Sequence, residues 1–129
     1  MIHDKSIKND KEPHSWSAEI LPILSKAYNM VKDKFPHTLL IPCFGNNDAP
    51  YHYQTIKQDQ KALIYGDIFN LWFKNHPVNS KIPNIENVRS TLMQGGYFRV
   101  DIGDSLAVLN LNSLYMACRN NADLENEHL

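Results

Sequence analysis

The most constraining feature of this chain is a short apolar run that stops abruptly in a polar turn. Residues 39–44 are mostly apolar, and residues 45–48, which we call the 45–48 loop, read Gly-Asn-Asn-Asp. The pattern predicts a buried strand over 36–44 that ends in a tight loop. Ligands collect beyond the carboxyl ends of strands in open α/β sheets, so a site is expected here. Taken alone, the tetrapeptide favours a plain turn.

Apolar residues at helical spacing predict the helices. These helices cover residues 17–35, 59–74 and 85–93. Ser15 or Ser17 offers an N-cap for the first helix, and Gly95-Gly96 is expected to stop the third. Trp72, Tyr97 and Phe98 are expected in the core, because aromatic side chains at such spacing usually pack rather than bind.

Two apolar segments near the end of the chain predict a β-hairpin. Residues 97–102 and 106–111 are expected to pair across Gly103-Asp104-Ser105. Asn112 follows the second strand, where a strand-terminal turn is favoured over membership of the site. The predicted fold class is therefore α/β: a helix-strand-loop unit, further helices, and then a β-hairpin. The charge-rich residues 1–14 are expected to be disordered.

Composition limits the classes of partner. The chain has 129 residues, enough for one domain, and its formal net charge of −1 argues against an electrostatic site for nucleic acid. No apolar stretch approaches the roughly 18–20 residues of a membrane helix, and the N-terminus lacks the apolar core of a signal peptide. Cys43 is expected to be a free buried thiol. The histidines other than His52 show no ligand spacing and are assigned no role.

Short blocks along the chain resemble one enzyme family. The 45–48 loop is similar to the Gly-Asn-His-Asp/Glu block of calcineurin-like metallophosphoesterases, in the branch of acid sphingomyelinase-like phosphodiesterases and endopolyphosphatases. Leu-Trp at 71–72, Gly-Gly-Tyr-Phe at 95–98 and Leu-Asn-Ser-Leu-Tyr at 111–115 follow in the family's order. The resemblance implies that 15–129 is the middle fragment of a single metallophosphoesterase domain, with a partial calcineurin-like sandwich as its fold.

The resemblance also implies roles for four residues. Asn46 matches an amide metal ligand, and Asp48 would orient the loop as an acceptor behind the ligands. Asn47 stands where most members carry His, so it could stabilise developing charge by donating a hydrogen bond but could not supply a proton. His52, four residues past Asp48, is expected to face the phosphate as a catalytic group, with an exposed loop histidine as the alternative.

The implied chemistry needs more ligands than this chain carries. The family holds two divalent ions (Zn, Mn or Fe) through Asp-x-His, Gly-Asp-x-x-Asp and Gly-His-x-His motifs, and these motifs are absent from the sequence. We therefore expect this chain to be part of a hydrolase that acts on a phosphodiester, a phosphoanhydride or polyphosphate. As an isolated chain it is expected to be inactive and to bind no metal ion stably. The alternative is a non-catalytic interaction or remnant domain. Uncovered sheet edges and helix faces further predict self-association. The family is mostly secreted, lysosomal or vacuolar.

Overall fold

The computed structural model of the chain describes residues 14–51 and 54–116, and it combines helices with one small sheet. In chain order the elements are a π-helical turn Trp16–Ile20, α1 (Leu21–Lys34), α2 (Gln58–Phe69), a π-helical segment Asn70–Lys74, a 3₁₀ turn Asn79–Lys81, α3 (Ile85–Gly95), β1 (Phe98–Ile102), β2 (Leu106–Asn110) and a 3₁₀ turn Ser113–Met116. The broad α/β class is confirmed. The predicted disorder of the N-terminal residues falls almost wholly outside the described residues.

The first predicted helix forms as a π-helical turn that runs directly into α1. Ser15 is its N-cap, since the backbone N–H of Ala18 donates to Ser15 Oγ over 3.2 Å, and the Glu19 carboxylate accepts from the Ser15 N–H. Trp16 is buried at this end, where its indole N–H donates to the Asp67 carboxylate over 2.9 Å. This contact fixes the start of the helix against α2, and the expected cap at Ser15 is confirmed.

Large apolar side chains also remain exposed along α1 and at its end. They are Ile23, Met30, Val31 and Phe35. Exposed apolar surface of this kind is typical of an interaction face. Self-association of the isolated chain stays a prediction.

The second predicted helix spans α2 and the π-helical segment after it, close to the expected 59–74. It supplies much of the core, because Tyr65, Ile68 and Phe73 are completely buried. None of the helices in the described part of the chain is long and apolar enough to cross a membrane.

The third helix, α3, ends where the Gly-Gly pair predicts. Gly96 has φ +71°, the left-handed conformation that closes many helices, and its N–H donates to the Leu92 carbonyl over 2.8 Å. A Cβ added at Gly96 would lie 2.9 Å from Cε1 of Tyr65. The position therefore requires glycine both for its backbone angle and for the close approach of a buried ring.

Gly96→Ala should lower the free energy of unfolding by more than the ~1 kcal/mol that a left-handed alanine costs by itself. Gly103→Ala is the matched control, because Gly103 also has positive φ (+63°) but a Cβ there would meet nothing within 4 Å. Urea denaturation of both variants measures the difference, which isolates the crowding against Tyr65. Equal losses for the two variants would contradict the crowding argument.

The β-hairpin is confirmed, with β1 and β2 antiparallel and Val100 opposite Val108. Phe98 and Val100 of β1 face the core and are buried. The outer edge of β1 is covered by one side chain: Asn84 Nδ2 donates to the Arg99 carbonyl over 2.9 Å, and Asn84 Oδ1 accepts from the Asp101 N–H over 3.1 Å. An amide side chain thus takes the place of a neighbouring strand.

The predicted strand over 36–44 is wrong. Residues 39–45 run without a ladder partner, and the only sheet among the described residues is the hairpin. Side-chain amides satisfy this backbone instead: Asn79 accepts from the Leu40 N–H over 3.1 Å and donates to the Leu40 carbonyl over 2.6 Å. Asn110 Nδ2 donates to the Pro42 carbonyl over 2.6 Å. The apolar pattern predicted the partial burial of these residues, but it did not predict which groups bond their backbone.

Two expectations about burial are also wrong. Cys43 is exposed and free rather than buried. Tyr97 is 39% exposed, and its hydroxyl donates to Gln94 Oε1 over 3.1 Å at the surface. Trp72 and Phe98 are buried, as expected. Tyr97 misses the core because side chains alternate along an extended chain: Phe98 and Val100 face inward, so Tyr97, like Arg99, faces outward.

Candidate functional site

The 45–48 loop is a turn closed by its own aspartate. The Gly45 N–H donates to Asp48 Oδ2 over 2.7 Å, and the Asp48 N–H donates to the Gly45 carbonyl over 3.1 Å. A Cβ at Gly45 would lie 3.0 Å from the same carboxylate oxygen, so glycine lets the carboxylate approach the backbone. Asp48 therefore fixes the shape of the loop, which is the local part of the role expected for it. Any relation of Asp48 to a metal stays a prediction.

Asn46 and Asn47 form the tip of this turn. Asn46 is half-buried and Asn47 is exposed. Within residues 14–51 and 54–116, neither side-chain amide makes a hydrogen bond, so both are available to an external ligand. His52 lies outside the described residues, and its expected position facing the phosphate stays a prediction.

The segment that leads into the loop is anchored from distant parts of the chain. Asn110 Nδ2 reaches both the Pro42 carbonyl and Cys43 Sγ, the latter over 3.2 Å. On the other side of the loop, the Pro50 carbonyl accepts from the His14 N–H over 2.9 Å. Sequence reasoning missed Asn110 as a positioning residue, because nothing local indicates a contact across 68 residues.

An apolar cavity of about 360 Å³ opens between α1 and residues 40–43. Its walls include Leu24, Val31, Ile41 and Trp72, and the Asp48 side chain lies at its boundary. The 45–48 loop thus has an apolar space on one side. No sequence signal predicted this cavity, since its walls come from elements far apart along the chain.

Asn112 is engaged at the C-terminal end of α3 and, within the described part of the chain, makes no hydrogen bond to the 45–48 loop. Its Nδ2 donates to the Gly95 carbonyl over 2.9 Å, and its Oδ1 accepts from the Leu114 N–H over 3.1 Å. Both halves of the amide are used to join the end of α3 to the turn after β2. The strand-terminal turn, which the sequence favoured for Asn112, is confirmed.

The donor set does not fit a two-metal centre. In the described part of the chain, no group of three or more His, Cys, Asp or Glu side chains is placed to hold a metal ion. One free amide at Asn46 and one carboxylate already engaged by Gly45 are too few ligands for two ions and a bound water.

No family model, no curated protein and no solved structure matches this chain.

Proposed function

We propose that this chain is part of a metal-dependent phosphoesterase, of the acid sphingomyelinase-like or endopolyphosphatase-like type, that hydrolyses a phosphodiester or phosphoanhydride. In this proposal Asn46 supplies one metal ligand, and Asn47 donates to the phosphate. The remaining metal ligands come from sequence outside these 129 residues.

The observation that carries the proposal is the state of the 45–48 loop. Its backbone is fixed by the Asp48–Gly45 hydrogen bonds, while the amides of Asn46 and Asn47 are left without partners in the described part of the chain. A turn that serves only to reverse the chain usually uses its Asn side chain on its own backbone. A loop held rigid with its amides unused is suited to present an oxygen ligand and an N–H donor.

Contacts between the sequence blocks support the same proposal. Phe73, beside the Leu-Trp pair, packs edge-to-face on Phe98, with ring centroids 5.2 Å apart. Asn112 bonds the Gly95 carbonyl, and Phe44 packs on Tyr65 with centroids 5.9 Å apart. Segments that are separate in sequence therefore pack together, and Phe44 joins the residue before the 45–48 loop to the same core.

The 129-residue chain alone should show no metal-dependent turnover of bis-p-nitrophenyl phosphate with added Mn²⁺ or Zn²⁺. In the longer enzyme that the proposal implies, Asn46→Ala should reduce turnover, and the affinity for one of the two metal ions, by at least ~100-fold. Even the loss of a residue that only hydrogen-bonds to a metal ligand lowers affinity or activity by about 10–100-fold. Asn47→His should be tolerated, since it adds a group able to donate a proton near neutral pH. Turnover and metal titration measure these effects.

Asn87→Ala is the matched control, because Asn87 is an exposed amide on α3. It should leave turnover unchanged. Metal-dependent turnover by the isolated chain, abolished by Asn46→Ala, would contradict the proposal that the other ligands lie elsewhere. A longer protein that is inactive and indifferent to Asn46→Ala would favour the non-catalytic alternative.

A further inference from the structure

His76 has an unusual environment for a residue to which the sequence assigned no role. The side chain is completely buried, at 0% exposure. Its Nδ1 accepts the backbone N–H groups of Val78 and Asn79, each over 3.1 Å. Because Nδ1 accepts twice, the ring proton resides on Nε2. Nε2 itself is buried and has no partner within the described residues.

The charged and titratable groups around the ring disfavour its protonation. Tyr28 of α1 packs edge-to-face on the ring, with centroids 6.0 Å apart, and burial raises the pKa of its hydroxyl. Burial lowers the pKa of His76, and the Lys32 ammonium of α1 lowers it further. The other neighbours are uncharged: the backbone N–H of His76 donates to the Phe73 carbonyl over 3.2 Å, and the backbone N–H of Asn79 donates to the ring. The imidazole is therefore held neutral.

Asn79 connects this imidazole to the segment that leads into the 45–48 loop. Its backbone N–H donates to His76 Nδ1. Its side chain accepts from the Leu40 N–H and donates to the Leu40 carbonyl. The same Nδ2 also donates to the Trp72 carbonyl over 2.7 Å. Moving the Asn79 backbone would therefore break the contacts that replace a strand partner for Leu40.

We propose that His76 is an acid-sensitive latch that holds residues 39–44, and with them the 45–48 loop, in place only while its imidazole is neutral. Protonation puts a hydrogen on Nδ1, directly against the N–H groups of Val78 and Asn79. Two accepted hydrogen bonds are lost and a buried positive charge is created beside Lys32. Asn79 is then displaced, and Leu40 is released with it.

The direction of the pH dependence follows from this arrangement. The pKa of His76 is lower in the folded chain than the ~6.5 of a solvated histidine, so the open form binds the proton more readily. Stability is complete above pH ~6.5 and falls as the pH drops below that value. The opening equilibrium grows by up to about tenfold per pH unit until the pKa of the folded state is reached.

Amide hydrogen exchange of Leu40 tests the latch. Its protection, corrected for the intrinsic exchange rate, should fall between pH 7.5 and pH 5.5 in the full chain, by up to about tenfold, the limit for one proton taken up on opening. His76→Asn should remove most of this fall, because an Asn oxygen can accept the N–H groups two and three residues ahead without titrating. His37→Asn, at an exposed turn, is the control and should keep the wild-type behaviour.

Two results would overturn the latch: Leu40 protection that is flat with pH in the wild-type chain, or an undiminished fall in His76→Asn. The NMR titration of the His76 ring in the wild-type chain gives an answer that needs no variant. The folded-state ring should titrate below the ~6.5 of a solvated histidine, and a transition at or above that pH within the folded state would also overturn the proposal.

Discussion

Phe73→Ala is expected to lower the free energy of unfolding by about 3–5 kcal/mol, the range for deleting a buried aromatic ring. Phe73 is completely buried. Its ring stacks on Phe69 with centroids 5.7 Å apart and meets Phe98 edge-to-face at 5.2 Å, so it joins the second helix to the hairpin. Truncation leaves a cavity between helices and sheet that neither rigid neighbour can fill. Urea denaturation at pH 7.5 measures the loss.

Phe35→Ala is the matched control, because the same ring is removed from a site that is 54% exposed just beyond α1. Its cost should remain below about 1 kcal/mol, as for most surface substitutions. If the two variants lose similar stability, the contact of Phe73 with Phe98 does not organise the core.

Local signals in the sequence were sufficient for most of the helices and for the hairpin. Ser15 caps the first helix, Gly96 ends α3 in the left-handed conformation, and Gly103 at positive φ turns β1 into β2. Each of these features depends on residues within one turn of itself, so short-range patterns determine it. The same holds for the 45–48 loop, whose closing hydrogen bond spans three residues.

Contacts between distant residues explain what the sequence did not predict. The segment 39–44 has the apolar pattern of a strand, yet its polar partners are side chains at Asn79 and Asn110. A short apolar run predicts burial and carries no information on which group bonds the backbone. The cavity beside Asp48 also depends on distant contacts. His76 accepts from N–H groups only two and three residues ahead, but its ring packs on Tyr28 of α1, far away along the chain.

Asparagine side chains hydrogen-bond to backbone groups at several places in this fold, where a neighbouring strand would otherwise supply the partner. Asn84 covers the edge of β1, Asn110 bonds the Pro42 carbonyl, and Asn112 bonds the Gly95 carbonyl. An Asn side chain carries the same donor and acceptor as a peptide group, so it can satisfy buried backbone without a further strand. Asn79 is the most heavily used of these residues.

Asn79→Ala is therefore expected to cost about 3 kcal/mol of unfolding free energy. The change leaves the N–H and carbonyl of Leu40 without their amide partner, whereas the Trp72 carbonyl keeps the Tyr28 hydroxyl as a donor over 2.9 Å. Each unsatisfied buried polar group costs about 1–3 kcal/mol, and entry of water at Leu40, which is only partly buried, offsets part of the sum. Urea denaturation at pH 7.5, where His76 is neutral, measures the loss.

Asn70→Ala controls for the loss of an amide as such, because Asn70 is exposed and alanine favours the helical backbone there. It should change stability by less than about 0.5 kcal/mol. The two variants also separate local from global effects: Asn79→Ala should abolish exchange protection of the Leu40 amide while amides in the middle of α3 stay protected. A loss below about 1 kcal/mol with Leu40 still protected would mean that residues 39–44 are held by something other than Asn79.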